Sequence, residues 1–233
     1  MRRPIFTAGL AITLMAVANL AQAGMLTTSL GNTSSGFNDG DTVEAPAIGT
    51  AQAGQPAPFD SSKGNDISTD NVLDESWTFN YAAIADPIVT ASLSFGIWDH
   101  DSAATGDQLA DFRVDGNDLT ATLNPLFEAD ASGDLVYNVY TLALDSLLAD
   151  LADGSLTVEL TLAAPGLVTP LFPLPGPNPV EESVGNGGAL IFSTLMIETR
   201  DGEVPVPGPG ALSLGLLAFG SLIWRRRTSP GRT

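Results

Sequence analysis

The 233-residue sequence contains no cysteine and a single histidine. Without cysteine the chain cannot form disulfides, thiolate zinc sites, thiol nucleophiles or thioether links to haem. The histidine, His100, cannot build a multi-histidine metal site, and its position between Asp99 and Asp101 would favour its charged form. The G-x-S-x-G, H-E-x-x-H, P-loop and G-x-G-x-x-G motifs are also absent. These absences favour a protein that is not an enzyme.

Positive charge is scarce: the chain has 9 basic and 27 acidic residues. All the acidic residues lie between positions 24 and 203, where the basic ones are Lys63, Arg113 and Arg200. Three positive against 27 negative side chains give this segment a net charge of −24. Such a segment repels nucleic acid and anionic lipid headgroups and favours divalent cations. We therefore expect no nucleic-acid partner.

The first 23 residues have the parts of a secretory signal peptide. Arg2 and Arg3 precede an apolar stretch over 5–20, and the small residues Ala21 and Ala23 form a signal-peptidase site. We expect cleavage after Ala23. The alternative is a retained N-terminal anchor, for which the apolar stretch is short.

The last 30 residues also have three parts. They are the motif Val204, Pro205, Val206 and Pro207, the uncharged apolar segment 210–224, and the cluster Arg225, Arg226 and Arg227. As a helix the apolar segment would be roughly 22 Å long, somewhat less than the ~30 Å hydrocarbon core of a bilayer. The arginines would stay in the cytoplasm by the positive-inside rule, so the main body of the protein would be exported.

This order of motif, apolar helix and arginine cluster resembles the PEP-CTERM sorting signal of Gram-negative bacteria, with Val206 where the usual motif has Glu. The resemblance implies recognition of residues 204–233 by an exosortase-type membrane protease. It also implies a transient anchor in the inner membrane and delivery to the cell surface or an extracellular polysaccharide matrix. A permanent C-terminal anchor is the alternative.

Short segments of alternating apolar and polar residues recur through the middle of the chain and predict β-strands. The predicted strands are 76–81, 89–97, 109–115, 119–123, 135–144, 156–162 and 189–198, with DGND as the hairpin turn after the third. Residues 145–154 predict two helical turns, and 45–66 and the proline-rich 164–188 predict long loops. We therefore predict an all-β fold over 24–203, an antiparallel β-sandwich of the jelly-roll or C2-like type.

The clearest candidate site lies where the second predicted strand ends. Asp99 and Asp101 are two residues apart, so they point the same way if the strand continues, and Asp107 follows in a loop. Ca²⁺ takes about six to eight oxygen ligands, many of them carboxylates. The sequence therefore predicts a Ca²⁺ site at Asp99, Asp101 and Asp107. The alternative is a solvated acidic loop closed by side-chain hydrogen bonds.

Two other acidic stretches are more typical of turns. They are Asp66, Asp70, Asp74 and Glu75 in one, and Glu128, Asp130 and Asp134 in the other, whose spacing also suits Ca²⁺. Trp77 and Trp98 could form a sugar-stacking platform, but their alternating neighbours favour the core.

The sequence thus predicts an exported, non-catalytic protein with a structural or adhesive role. Binding of Ca²⁺ or polysaccharide would be its physical basis. The alternative is an extracellular hydrolase acting on polysaccharide through a pair of carboxylates. That function would require two carboxylates lining a cleft, at least one with a raised pKa.

Overall fold

The computed structural model describes residues 23–66, 72–168 and 181–200. A compact unit spans Ala23–Asp201. The predicted signal peptide up to residue 22, and the whole predicted sorting signal from Val204 onward, lie outside the described residues. Within the described ranges, no helix is both long enough and apolar enough to cross a membrane.

Antiparallel strands form most of the described chain. The strands are β1 Ala23–Gly31, β2 Asp41–Thr42, β3 Asp74–Asn80, β4 Ile88–Trp98, β5 Leu109–Val114, β6 Asn117–Asp118, β7 Val136–Ala143, β8 Ser155–Leu162, β9 Leu167–Val168, β10 Glu181–Glu182 and β11 Ala189–Arg200. Two α-helices, α1 Ala45–Gln52 and α2 Thr120–Asp130, and two single-turn 3₁₀-helices, Asp145–Leu147 and Asp150–Asp153, complete the described elements.

Two sheets enclose the core. One has the strand order β1-β11-β4-β7-β2 and the other β3-β8-β5-β6, while β9 and β10 form a separate ribbon. Phe95 of the first sheet contacts Phe112 and Trp77 of the second, with ring centroids 5.9 Å and 6.4 Å apart. The predicted all-β sandwich is confirmed.

The strands form where side chains alternate between the core and solvent. In β8, four apolar residues are at most 1 % exposed and alternate with polar ones; they are Leu156, Val158, Leu160 and Leu162. β4 follows the same rule from Ala91 to Phe95, after which consecutive residues are buried. The alternation of apolar and polar residues over 89–97 would place Val89 on the buried face, but it is 37 % exposed. Thr90 pairs with Glu198 and Ile88 with Thr199, so Val89 is the extra residue of a β-bulge, which breaks the alternation.

The predicted strand 119–123 is wrong, because helix α2 occupies this segment. The DGND hairpin does form, but its second strand is only the two residues of β6. Asp118 then accepts a hydrogen bond from the backbone N–H of Thr120 at 2.9 Å. Leu123 and Phe127, four residues apart, bury one side of the helix in the core.

The N-terminal part contains more regular structure than predicted. Residues 45–52, predicted as the start of a loop, form α1, which has a proline in its first turn, where a missing N–H costs nothing. Ile48, Ala51 and Gln52 are buried, and they attach the helix to the sandwich.

The two predicted connections nearer the C-terminus have different outcomes. The helical turns predicted over 145–154 are present as the two 3₁₀-helices, and Gly154 ends them with φ 95°. Asp145 is not their N-cap; its Oδ1 accepts hydrogen bonds from Thr90 and Ala91. In the predicted loop 164–188, β9 and β10 pair as a two-stranded ribbon, and residues 169–180 lie outside the described part.

Candidate functional site

The candidate site begins where β4 ends. Asp99 and Asp101 have φ values of 66° and 55°, in the left-handed region that aspartate tolerates better than most residues. This backbone turns both side chains inward, so Asp99 is 6 % exposed and Asp101 0 % exposed.

Backbone N–H groups from distant segments fix these carboxylates. Asp99 Oδ1 accepts from the N–H of Leu135 at 2.6 Å, and Asp101 Oδ2 accepts from that of Leu167 at 2.7 Å. Similarly, the Oδ1 of Asp66 accepts from the backbone of residue 187 at 2.9 Å. The position of each acid therefore depends on a contact with a residue that is distant from it in the sequence.

At this end of the sandwich the pKa values of three carboxyl groups, Asp66, Asp99 and Asp101, are raised partly by neighbouring acids, and Asp134 is one of those neighbours. We call these four side chains the acidic cluster. Burial, followed by repulsion from Asp99 and then the other two, raises the pKa of Asp101 to about 9. Burial, aided by Asp66 and Asp134, raises the pKa of Asp99 to about 7. The pKa of Asp66 is also raised, mainly by burial and then by Asp134.

Two buried oxygens at the cluster have no hydrogen-bond partner. They are Oδ1 of Asp101 and Oδ1 of Asn186. Asn186 is 0 % exposed, and its side-chain N–H group donates to Ala163 O at 2.8 Å and to His100 O at 3.4 Å. A Cβ added to Gly166 would lie 2.7 Å from Asp101 Oδ2 and 3.1 Å from the Cα of Asn186. The two unpartnered acceptors therefore belong to neighbouring residues.

The basic side chains nearest in sequence to the acids are engaged elsewhere. Lys63 pairs with Glu75 at 3.5 Å, and Arg113 pairs with Asp111 at 2.8 Å. In the described ranges, no group of three or more His, Cys, Asp or Glu side chains is placed to hold a metal ion. The cluster thus gathers negative charge without a lysine or arginine among the charges acting on its two buried carboxyls.

The structure brings two of the three predicted Ca²⁺ ligands together. Asp99 and Asp101 belong to the acidic cluster, whereas Asp107 is exposed and hydrogen-bonds with Glu128 of α2. That contact raises the pKa of Glu128. Asp107 therefore lies beside another acid and not among the charges that act on Asp99.

The lone histidine lies in the core. Burial lowers the pKa of His100 to about 3, so the expectation that its charged form is favoured is wrong. Its ring contacts Phe127 edge-on at 4.4 Å between centroids, and its Nδ1 has no partner. The core interpretation of Trp77 and Trp98 is confirmed, since they are 4 % and 6 % exposed.

Sequence reasoning placed Asp66 and Asp134 in stretches more typical of turns, although the spacing around Asp134 also suits Ca²⁺, and it missed Asn186. A signal was present in the glycines that follow Asn186. A Cβ on Gly187 would lie 2.8 Å from Asn65 Cα, and one on Gly188 would lie 3.0 Å from Trp98 O. Consecutive glycines can therefore mark a close approach of backbones, here beside the acidic cluster.

A shallow groove of about 100 Å³ provides a second feature, on the first sheet near Met25, Thr90 and Met196. Met25 is 71 % exposed and Met196 41 % exposed.

Comparison of the chain with protein-family models, with curated proteins and with solved structures gives no match. The function must therefore be argued from the geometry.

Proposed function

We propose that the protein is exported and acts without catalysis, as a structural or adhesive component of the cell surface or an extracellular matrix. The observation that carries this proposal is the burial of the side chains best suited to acid–base chemistry. His100 and Asp101 are 0 % exposed and Asp99 is 6 % exposed. A substrate could not contact them without opening the sandwich, which leaves binding as the simpler role.

The boundaries of the folded unit support the proposed processing. The compact unit begins at Ala23, after which we expect signal-peptidase cleavage, and ends at Asp201, before the motif that starts at Val204. Gly24 pairs with Thr199 in the β1–β11 ladder. Removal of both sorting segments would therefore take away only the terminal Ala23–Arg200 pair and leave the ladder from Gly24 onward. In this proposal an exosortase-type protease acts near residues 204–207 while the tail is transiently in the inner membrane.

We assign the sandwich to the jelly-roll class rather than the C2-like one. If the edge strand β2 and the separate ribbon of β9 and β10 are set aside, eight strands remain in two sheets of four, although β6 has only two residues. Numbered one to eight along the chain, they have the orders 1-8-3-6 and 2-7-4-5, the interleaved pattern of a jelly roll. Lectins use this architecture among others, but a fold alone does not assign a ligand.

The outer face of the first sheet suits a polysaccharide. A row of four hydroxyl groups crosses four neighbouring strands: Ser29 and Thr194 hydrogen-bond at 2.9 Å, and Ser94 and Thr141 at 2.7 Å. Thr194 and Ser94 are register partners, which makes the row continuous. Such a row offers both donors and acceptors to sugar hydroxyls. The acidic surface would add divalent cations as bridges to an anionic polymer.

One specific observation favours the alternative function, hydrolysis of polysaccharide. Asp99 and Asp101 have the raised pKa values that a general acid requires. The same function requires carboxylates that line a cleft, and these two are buried. We therefore rank it second.

Recovery of the protein from its producing cells tests the proposal. We expect a surface or extracellular fraction whose intact mass corresponds to a chain that begins at Gly24 and lacks Arg225, Arg226 and Arg227. Recovery from the inner membrane with the arginines attached would contradict the sorting proposal. Turnover of a glycan by the purified protein, abolished by Asp101→Asn, would support the hydrolase instead.

A further inference from the structure

Four segments of the chain meet where β4 ends, and we propose that the side chains there form a Ca²⁺ site. The proposed ligands are Asp66, Asp99, Asp101, Asp134 and Asn186. Asp107 is not among them. The added ligands, Asp66, Asp134 and Asn186, are distant from Asp99 in the sequence. The inference rests on the proposed function only because export would bring the protein into contact with Ca²⁺, which is plentiful outside the cell. Binding can be tested on the purified protein whatever its location in the cell.

The unpartnered oxygens are the observation that points to a ligand. Oδ1 of Asp101 and Oδ1 of Asn186 are buried acceptors without any donor. A buried polar atom without a partner is costly, by about 1–3 kcal/mol, and native proteins rarely leave one unexplained. A cation would satisfy both oxygens at once, because each presents a lone pair and no hydrogen.

Protonation satisfies the cluster less well than a cation does. A proton on Oδ1 of Asp101 would remove the charge but create a buried O–H group with no acceptor, since this atom has no hydrogen-bond partner. The other oxygen, Oδ2, is already engaged by the N–H of Leu167. The surrounding charges that act on this carboxyl are all acidic. A bound cation neutralises the charge and provides the missing contact together.

The ligand atoms favour Ca²⁺ over other metals. All the proposed ligands are oxygens, which are hard donors, whereas zinc prefers nitrogen and sulfur, and the chain has no cysteine. The imidazole of His100 is turned toward Tyr140 and Phe127, away from this role. Mg²⁺ requires a near-ideal octahedron, whereas Ca²⁺ accepts six to eight or so oxygens in irregular geometry. Ligands from four separate segments fit the second requirement better.

Burial suggests how the ion enters. Asp99 and Asp101 are buried, whereas Asp66 and Asp134 are only partly covered. The first two would form the floor of the site and the other two its mouth. In the described ranges no three such side chains surround a single point. Asp66 and Asp134 would therefore have to move closer to the two buried acids as Ca²⁺ binds, while Asp66 Oδ1 keeps its hydrogen bond from the backbone of residue 187. The site would thereby join the segment at residue 66 to the segments at 134 and 186.

Calcium titration of the exported protein, purified after expression of the full-length chain, tests the site. Isothermal titration should detect one tight Ca²⁺ site per chain, and Tb³⁺ should show luminescence sensitised by Trp98, which directly precedes Asp99. Asp66→Asn, Asp134→Asn and Asp101→Asn should each weaken Ca²⁺ binding at least about tenfold, because site affinity follows the number of charged ligands. Mg²⁺ at the same concentration should compete poorly.

Asp107→Asn is the matched control, because it removes the same charge from an exposed position in the same loop. It should leave the Ca²⁺ affinity within about twofold of the parent. Asp101→Asn should melt in EDTA at the parent temperature or above, which separates lost binding from lost folding. Absence of a tight site, or a site lost in Asp107→Asn but kept in Asp101→Asn, would overturn the inference. Neither result would bear on where the protein is located.

Discussion

The Nε2 atom of His100 lies 2.5 Å from the phenol oxygen of Tyr140, inside the core of the sandwich. Burial raises the pKa of Tyr140, so the phenol keeps its proton and can donate it to the neutral imidazole. The pair is therefore a structural contact between two side chains that are at most 3 % exposed, and each partner provides a hydrogen bond to the other.

We expect Tyr140→Phe to lower the free energy of unfolding by about 1–3 kcal/mol, because it leaves a buried imidazole nitrogen without a partner. Urea denaturation in EDTA measures the change. The double variant His100→Phe/Tyr140→Phe should lose less than the sum of the two single variants, since it removes both polar groups together. Equal stability of Tyr140→Phe and the parent would contradict this assignment.

The metal-free protein should lose stability as the pH rises from about 6.5 to 9. Asp99 and Asp101 have pKa values of about 7 and 9 in the folded state, against an ordinary value of 3.8. The folded state therefore binds more protons than the unfolded state, and each rise in pH through this window favours unfolding. The pKa of His100 is lowered from its ordinary value of 6.5 to about 3, so His100 makes stability increase with pH below 6.5. The predicted loss of stability is therefore measured from pH 6.5 upward.

Thermal melts in EDTA across this range measure the effect. The loss should be smaller in Asp101→Asn, which has one raised pKa fewer, and saturating Ca²⁺ should raise the midpoint more at pH 9 than at pH 6.5. If the melting temperature of the metal-free protein rises steadily from pH 6.5 to 9, the prediction is wrong, because ionisation of the two carboxyls would then cost the folded state no stability.

Two glycine substitutions should have opposite signs. A Cβ on Gly96, in β4, would lie 2.7 Å from Phe192 Cε1 and against the hydroxyl of Tyr137, so Gly96→Ala should cost about 1–3 kcal/mol through overpacking. Gly49 is exposed within α1 with nothing within 4 Å of the added atom. Gly49→Ala should therefore add about 0.5–1 kcal/mol by helix propensity. Chemical denaturation of both variants compares them directly, and a loss in Gly49→Ala would be inconsistent with α1.

The hairpin between β5 and β6 allows a substitution test at its turn. Asp115 has φ 48°, and its Oδ1 accepts from the N–H of Thr157 at 2.7 Å. Asp115→Asn keeps the acceptor and the tolerance of this backbone, so its free energy of unfolding should change by less than about 0.5 kcal/mol. Asp115→Ala loses both and should be less stable by about 1–3 kcal/mol. If both variants unfold at the same urea concentration, the side-chain contact contributes nothing.

Strands with a complete buried face could be predicted from the sequence, because alternation is a local property. Segment 156–162 was predicted within one residue of β8 for this reason. Segment 119–123 was misread because a short window of leucine and threonine suits a strand as well as a helix. The spacing of four between Leu123 and Phe127, which shows the buried helix face, extends beyond that window.

The candidate site could be predicted only in part. Asp99 and Asp101 are close in sequence, and local spacing found them. Asp66 and Asp134 join them because strand pairing folds two other acidic stretches to the same end, which no local pattern encodes. Asp107, although near in sequence, is carried by its loop to Glu128 of α2.

The pairing of Ala23 with Arg200 places both ends of the folded unit side by side at one end of the first sheet. Trp98 pairs with Ala189 at the other end, and the twelve residues of β11 separate the two pairs. That separation is roughly 35 Å for an extended strand. A chain tethered through residue 200 would therefore hold the loop at Asp99 and Asp101 about one strand length from the attachment point, where soluble ions and neighbouring polymers can approach it.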